Sequence, residues 1–476
     1  MLAQVIRRML KWLGVTALAF LGLACVLGVA ALLVNAHDQA LAPEVGALLT
    51  PPPNPYSDQD NIYVALQGFD APPAESIIAA GVARIEHFNR NIDAALRDSA
   101  AVSPEGLAAH DTHRLAFRGD VSFIRPLESS VWNEAPQHEL QIEALLQDNH
   151  ELLERYLDLI LLRGYYETAR PSALTPYPAA PNEVRRLFLA QLALQMRARG
   201  RLQRQLALAE LEGDIQLWRR VLTGEGTLLW KMLAIAFLQS DYLLLGDLIA
   251  DPETDLALSE AYAESLVPLF DLRDFDIGRA FAAEFRVQVA TLRSPDGEAH
   301  RGERGWLERA GSRFSDHFLK PNATENLLAT HTRRWMAAAA DPAEFYRMYP
   351  GSAGLTEQPR VWLLPLTYNP LGRLLVADVT QPYRHYPPRA WDQAALQRLV
   401  RVGYEIRLHR VAAADLAAFL RAHPQWSTHP ADGRPFLWDA RSDELSVQTL
   451  SQHPPGWRFS IRLWRTPPLA PPAAPR

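Results

Sequence analysis

The sequence predicts a mainly α-helical protein with an N-terminal transmembrane helix, an irregular helical bundle or short solenoid, and a small α+β domain at the C-terminus. Three observations lead to this prediction. An uncharged apolar run covers residues 12–34, apolar residues recur at three- and four-residue steps over much of 74–350, and apolar and polar residues alternate over 457–464. These patterns are typical of a membrane span, of amphipathic helices and of a half-buried strand.

The same patterns divide the chain into consecutive segments. We predict a cytoplasmic N-terminus (1–11), a transmembrane anchor (12–34), a proline-rich linker (35–73), a helical domain (74–350), a small α+β domain (356–465) and a disordered tail (466–476).

The apolar run from Trp12 to Val34 is long enough to cross a bilayer, because about 20 residues of helix span its hydrocarbon core. Arg7, Arg8 and Lys11 precede the run, and no further lysine or arginine follows until Arg84. Positive charge stays on the cytoplasmic side of a membrane. The sequence therefore predicts a single-pass protein of the bacterial inner membrane, with its N-terminus in the cytoplasm and its bulk in the periplasm.

Three other uses of this run are open. Val34-Asn35-Ala36 has the small-x-small pattern of a signal-peptide cleavage site, Cys25 is placed for lipoprotein processing, and Arg7-Arg8 is the pair that twin-arginine export requires. The apolar region of a cleaved signal peptide is usually 7–15 residues long. Since this run is longer, a retained anchor is the favoured interpretation.

Composition limits the function. Of 476 residues, 48% are hydrophobic, and the net charge is −6, which argues against a general nucleic-acid binder with a basic face. The only cysteine, Cys25, lies in the apolar run. We therefore expect neither disulfides nor a cysteine-ligated metal outside it, and no motif calls for a cofactor.

The linker carries Pro51-Pro52-Pro53, which favours extended geometry, and we expect it to hold the body off the membrane. Its residues 61–69 (NIYVALQGF) are apolar enough to dock on that body. The first helix of the body is predicted to begin near Ala74. Further helices are predicted over 138–166, 182–211, 214–222, 227–250, 255–269, 276–292 and 324–348. Asp255 and Asp276 are predicted N-caps, and a short strand is predicted within 120–126.

The segment 227–250 is apolar enough to be examined as a second membrane span. It contains Lys231, Asp241 and Asp247, and charges deep in a bilayer are costly. A buried core helix is the favoured interpretation.

In the C-terminal domain, 361–368 (VWLLPLTY) and 373–379 (RLLVADV) are predicted strands, followed by helices over 390–411 and 414–422. PFLWDA and ELSVQTL predict a hairpin, and 457–464 (WRFSIRLW) predicts a half-buried strand.

A helix followed by residues 430–436 (PADGRPF) and a short hairpin resembles the C-terminal layout of uncharacterised membrane-anchored bacterial envelope proteins, as do KPNATEN (320–326) and NPLGR (369–373). Residues 390–450 are also distantly similar to the end of type II secretion pseudopilins. The N-terminus lacks the processing site and the glutamate of pseudopilins. The resemblance implies no particular activity.

Two clusters could hold a metal. His110, Asp111 and His113 offer two imidazoles and a carboxylate, but zinc would need ligands from elsewhere, and a polar loop is the simpler interpretation. The acids of DLRDFD (271–276) lack the glycine of a calcium loop, and helix capping explains at least one of them.

Two further sets could form an interaction surface. They are the basic cluster Arg197, Arg199, Arg201 and Arg204, and the tryptophans of the C-terminal domain, notably Trp438 and Trp457. Tryptophan is enriched in binding hot spots, although packing of the core explains it equally well.

No P-loop, dinucleotide fingerprint, G-x-S-x-G or HExxH motif is present in the sequence. We therefore expect an accessory protein of the envelope that binds the bilayer through residues 12–34 and another envelope protein through its body, and no nucleic acid. The alternatives are a hydrolase whose site is assembled from distant residues, and a module that binds lipid or a small molecule.

Overall fold

The protein is described from a computed structural model covering residues 2–97, 114–175, 177–178, 180–198, 200–251, 264–268, 272–293, 317–348, 367–451 and 457–464. It is mainly helical, with a small three-stranded sheet near the C-terminus, as the sequence predicts. Several predictions fall outside these residues. They concern His110, Asp111, His113, Arg199, Asp271 and nearly all of the helix expected over 255–269.

The helices up to residue 250 are α1 (Leu2–Val34), α2 (Pro43–Leu49), α3 (Ile62–Gln67), α4 (Ile77–Arg97), α5 (Val131–Glu134), α6 (Glu139–Asp148), α7 (His150–Leu161), α8 (Ala180–Arg197), α9 (Arg201–Thr223) and α10 (Leu228–Ala250). Those that follow are α11 (Gly278–Leu292), α12 (Pro321–Ala340), α13 (Pro342–Met348), α14 (Pro370–Thr380), α15 (Tyr386–Leu408) and α16 (Leu416–Ala422). The strands are β1 (Leu437–Asp439), β2 (Glu444–Gln448) and β3 (Arg458–Arg462).

The N-terminal helix α1 is largely exposed over its apolar part. Its segment Lys11–Val34 has a mean hydropathy of 2.7 and is only 6% buried, so it is a candidate membrane span or signal anchor. Most of its apolar side chains are exposed, and exposing this much hydrocarbon to water is unfavourable, which favours an apolar surrounding.

Residues 35–73, predicted as a spacer that holds the body off the membrane, in part pack onto the body. α2 packs against α11 and α12, and every side chain of α3 is buried in the main core. The proposed docking of 61–69 is therefore confirmed. The prolines at 51–53 lie in an exposed stretch between Val45 and 61–69, which are both buried in the body.

Two long predicted helices are each interrupted. The helix expected over 138–166 breaks at Asn149, whose side chain accepts a hydrogen bond from Arg118 N (2.8 Å) and donates one to Arg118 O (2.9 Å). The helix expected over 182–211 breaks near Gly200, which is extended (φ −75°, ψ 119°). In each case local hydrogen bonding or backbone freedom overrides a helical apolar pattern.

Two other predictions need correction. No strand lies within 120–126, which is in turns. Residues 373–379, predicted as a strand, lie in α14, where Pro370 occupies the first helical turn, a position that suits proline. A short apolar run such as RLLVADV does not distinguish a strand from a helix by its period.

α10 is confirmed as a core helix. It is apolar on all sides and packs mainly against α9 and α15. Its two charged residues deepest in the body have polar partners within the protein: Lys231 donates to backbone carbonyls, and Asp241 pairs with Arg185. A helix that is hydrophobic all round belongs in the centre of a protein.

The C-terminal hairpin and final strand are confirmed. The sheet has the antiparallel order β1-β2-β3, with Leu445 opposite Ile461 and Val447 opposite Phe459. One continuous core extends from Ile62 to Leu463, so the regions predicted as helical and α+β domains share their buried interior.

Candidate interaction groove

A groove of about 620 Å³ follows the outer strand of the sheet. We call it the β3 groove; its walls are residues 457–462, the half-exposed face of α10, the loop 126–130 with Asn133, and four further residues, Arg389, Glu444, Thr449 and Ser451. Since alternate side chains of a strand point to opposite faces, a wall made of consecutive residues is the edge of that strand. The groove therefore runs along the free edge of β3.

The ladder register shows which backbone groups are at that edge. Thr449 N donates to Trp457 O (3.1 Å), and Leu463 N donates to Asp443 O (3.0 Å), so residues 457, 459, 461 and 463 direct their backbone groups towards β2. Because these directions alternate along an antiparallel strand, the backbone N–H and C=O of Arg458, Ser460 and Arg462 point away from the sheet. No described residue pairs with these backbone groups to extend the ladder.

The walls of the groove combine apolar and polar groups. Trp457, 40% exposed, and Leu127, 39% exposed, are two large apolar side chains at its rim. Met232 and Leu243 contribute the apolar part of the α10 wall. More than half of the lining residues are polar or charged, a mixture that suits a peptide main chain with side chains on both sides.

Close packing beneath β3 fixes its position. A Cβ placed on Gly246 of α10 would lie 2.7 Å from Ile461 Cγ2, and one on Gly403 of α15 would lie 2.6 Å from Ile461 Cδ1. Both distances are too short for a real side chain, so these glycines allow β3 to approach the two helices. The sheet is held on α10 and α15 while its outer edge stays open.

The tryptophans predicted as an interaction surface separate in the structure. Trp457 lies in the β3 groove, whereas Trp438 packs edge-on against Trp464 with ring centroids 5.5 Å apart. Trp391, also in the predicted domain, is 1% exposed and belongs to the core. Only Trp457 of these is available to a partner in the groove.

Of the predicted basic cluster, the structure describes Arg197, Arg201 and Arg204, and Arg197 and Arg201 are exposed. Arg197 donates to Trp132 O (3.2 Å), and its guanidinium lies 5.2 Å from the centre of the Trp132 ring. Arg204 is half-buried. Asp276, predicted as an N-cap, instead precedes the N-cap Ile277 of α11; its Oδ1 accepts a hydrogen bond from Gly278 N (2.7 Å) in the turn that leads into the helix.

A buried charge network joins four helices of the body. Arg185 of α8 pairs with Asp214 of α9 (3.1 Å) and with Asp241 of α10. Tyr156 of α7 donates to Asp214 Oδ1 (2.5 Å), and Trp218 Nε1 donates to the same oxygen (3.0 Å). Burial raises the pKa of Asp241 well above its usual value, and Arg185 opposes that rise. The network is enclosed, so its role is to fix the helices relative to one another.

A second group of buried charges surrounds the start of α10. Lys231 Nζ donates to Val221 O and Gly224 O (both 2.6 Å), near the C-terminal end of α9, and burial lowers its pKa to about 7. Glu284 accepts from Leu228 N (2.8 Å), and burial raises the pKa of its carboxyl to about 7. These groups satisfy helix ends that would otherwise be unpaired.

The described residues contain no group of three or more histidine, cysteine, aspartate or glutamate side chains that could hold a metal ion. Neither a protein-family model, nor a curated protein, nor a solved structure matches this chain.

The groove could not be predicted from the sequence. The alternation over 457–464 indicates β3, but which edge of β3 is open depends on the order of strands in the sheet.

Proposed function

We propose that the protein is a single-pass protein of the bacterial inner membrane whose periplasmic body binds an extended segment of another envelope protein. The partner segment adds to the sheet as a strand along the open edge of β3. The observation that carries this proposal is the outward direction of the backbone groups of Arg458, Ser460 and Arg462 into the β3 groove. Main-chain hydrogen bonds provide affinity in such a complex, and pockets for alternate side chains provide specificity.

The anchor supports the location. α1 is apolar and only 6% buried from Lys11 to Val34, and the basic residues Arg7, Arg8 and Lys11 precede its uncharged part. We expect alkaline phosphatase fused after residue 476 to be active. Green fluorescent protein fused at the same position should not fluoresce. Fluorescence of the latter would contradict the orientation.

The composition of the groove favours binding of a protein over catalysis. Among the described residues its lining holds no histidine, and two of its acids already have partners: Asp247 accepts from Ser130 Oγ (2.6 Å), and Glu444 lies 3.6 Å from Arg462. Although Ser130 contacts a carboxylate, the described lining offers no histidine or lysine that could act as the base of an activated serine. Accessible backbone and a rim tryptophan are instead what a bound strand uses.

The test replaces Trp457 by the photoreactive benzoylphenylalanine and crosslinks in intact cells. The variant Ser460→Pro removes an outward N–H and places a ring at the edge, while the bonds of residues 459 and 461 to β2 remain. The matched control Ser460→Ala keeps the N–H. We expect a discrete crosslinked product that Ser460→Ala retains and Ser460→Pro reduces at least tenfold.

A second variant guards against misfolding of the proline protein. Ala236→Arg fills the groove from its α10 wall and leaves the backbone of β3 unchanged. It should reduce the same crosslink with an unchanged midpoint of thermal unfolding. Retention of the product in both variants would overturn strand addition.

A further inference from the structure

The end of α1 is attached directly to the body. Asn35, the first residue after α1, is completely buried, and its Oδ1 accepts from Asn369 N (2.7 Å) while its Nδ2 donates to Thr367 O (3.1 Å). Asp38, three residues later, accepts from Asn322 N (2.9 Å) at the start of α12. No flexible spacer separates the apolar helix from these contacts.

This attachment fixes the height of the body above a bilayer. The 20 residues from Trp12 to Ala31 form about 30 Å of helix, which equals the hydrocarbon thickness of a bilayer. The next carbonyl, that of Leu32, lies 3.0 Å from His317 Nε2 of the body. The body therefore begins where the hydrocarbon ends.

One helix at this level has two partly exposed leucines among the residues that the structure describes. α14 starts beside Asn35, and its Val376 is buried in a small core shared by α2, α11 and α12. On its other side Leu374 and Leu375 are 39% and 41% exposed. Leu375 is six residues from Asn369, so both leucines lie within about 9 Å of the junction with α1, measured along the helix.

We propose that the first half of α14 rests on the membrane, with Leu374 and Leu375 inserted among the lipid headgroups. The occupant of this face is the bilayer that α1 enters. Arg373, exposed beside the two leucines, adds attraction to anionic headgroups, and Asp378, exposed one turn further from α1, limits the contact to the first half of the helix. Two points of attachment, one spanning and one superficial, hold the body in a single orientation. The contact deepens the proposed function and depends on its anchor.

The chain offers a direct test, because Cys25 is its only cysteine. Three full-length proteins would carry one environment-sensitive NBD label each: the native protein at Cys25, and Leu375→Cys and Leu140→Cys in a Cys25→Ser background. Leu140 of α6 is 82% exposed and serves as the control surface. Each protein is reconstituted into 3:1 phosphatidylcholine–phosphatidylglycerol vesicles with or without brominated phosphatidylcholine.

We expect strong quenching of the label at Cys25, and quenching at position 375 at least twofold greater than at position 140. Equal quenching at 375 and 140 overturns the contact of α14 with the bilayer while leaving the anchor intact. Absence of quenching at Cys25 overturns the anchor itself, and with it both this inference and the membrane location. The two failures are thus distinguished by different labels.

Discussion

The side-chain Oδ1 of Asn35 accepts a hydrogen bond from the backbone N–H of Asn369 at 2.7 Å, joining residues 334 positions apart in the sequence. Asn35 Nδ2 donates both to Ala31 O (2.9 Å), in the last turn of α1, and to Thr367 O (3.1 Å). One amide group therefore satisfies backbone on the apolar helix and on the body at once, which makes the junction between them rigid.

Replacing this residue should weaken the junction. Asn35→Ala removes the acceptor of the buried Asn369 N–H, at a cost of about 1–3 kcal/mol. We expect a lower midpoint of thermal unfolding in detergent. His37→Ala, two residues along and exposed, is the control and should leave the midpoint unchanged. An equal effect of both variants would mean that the contacts of Asn35 are not stabilising.

The buried charges of Arg185, Asp214 and Asp241 should behave as a unit. Arg185→Leu leaves two carboxylates facing each other without a cation, and we expect it to destabilise the body by about 3–5 kcal/mol in denaturant unfolding. Adding Asp214→Asn and Asp241→Asn removes the uncompensated charge and should restore part of the loss. Arg201→Ala, on the surface, is the control. A triple variant less stable than Arg185→Leu alone would show that the carboxylates are stabilised by other means.

The raised pKa of Glu284 predicts a pH dependence of stability. Burial raises the pKa of its carboxyl from 4.5 in the unfolded chain to about 7 in the folded protein. Between these values the folded state binds more protons, so this group stabilises the fold below pH 4.5 and its contribution is lost as pH rises through 7. Glu284→Gln keeps an acceptor for Leu228 N and does not ionise. We expect the stability difference between variant and wild type, from denaturant unfolding, to move in favour of the variant from pH 5 to pH 8. A constant difference would place the pKa near its ordinary value.

The contact between Gly246 and Ile461 predicts a link between packing and the groove. Gly246→Val inserts methyl groups where even a Cβ lies 2.7 Å from Ile461 Cγ2, and overpacking of this kind costs about 1–3 kcal/mol. We expect β3 to shift from α10, the unfolding midpoint to fall and the crosslink from position 457 to weaken. Gly14→Val in α1, with no atom within 4 Å of an added Cβ, is the control for a glycine replacement without a neighbour. If the crosslink persisted at full yield, the position of β3 would not depend on this contact.

The elements that the sequence predicts well are those whose pattern is long or chemically constrained. α10 is recognisable as a core helix because Lys231 and Asp241 make a membrane span costly, and β3 because four apolar residues alternate with polar ones. The sequence does not distinguish α3 from the linker, because six residues between proline-rich stretches show too little periodicity. The pattern of 373–379 predicts a strand where α14 lies, because seven residues are also too few to reveal a helical period.

The candidate site was only partly predictable. The sequence predicts Trp457 as a residue of an interaction surface, and in the structure it lies at the rim of the β3 groove. The open edge beside it is a property of strand order and of ladder register, and the α10 wall of the groove comes from residues more than 200 positions earlier. No local pattern reports such a long-range relationship.

The shared interior has a consequence for biogenesis. Side chains of α3, among the first of the body to leave the ribosome, and those of β3, among the last, belong to the same buried cluster. Contacts this distant in sequence form late, because the loops that separate them must close first. Synthesis must therefore have passed β3 before the body can mature, and a chain interrupted ahead of β3 would leave the apolar surfaces of α10 and α15 open to proteases and to aggregation.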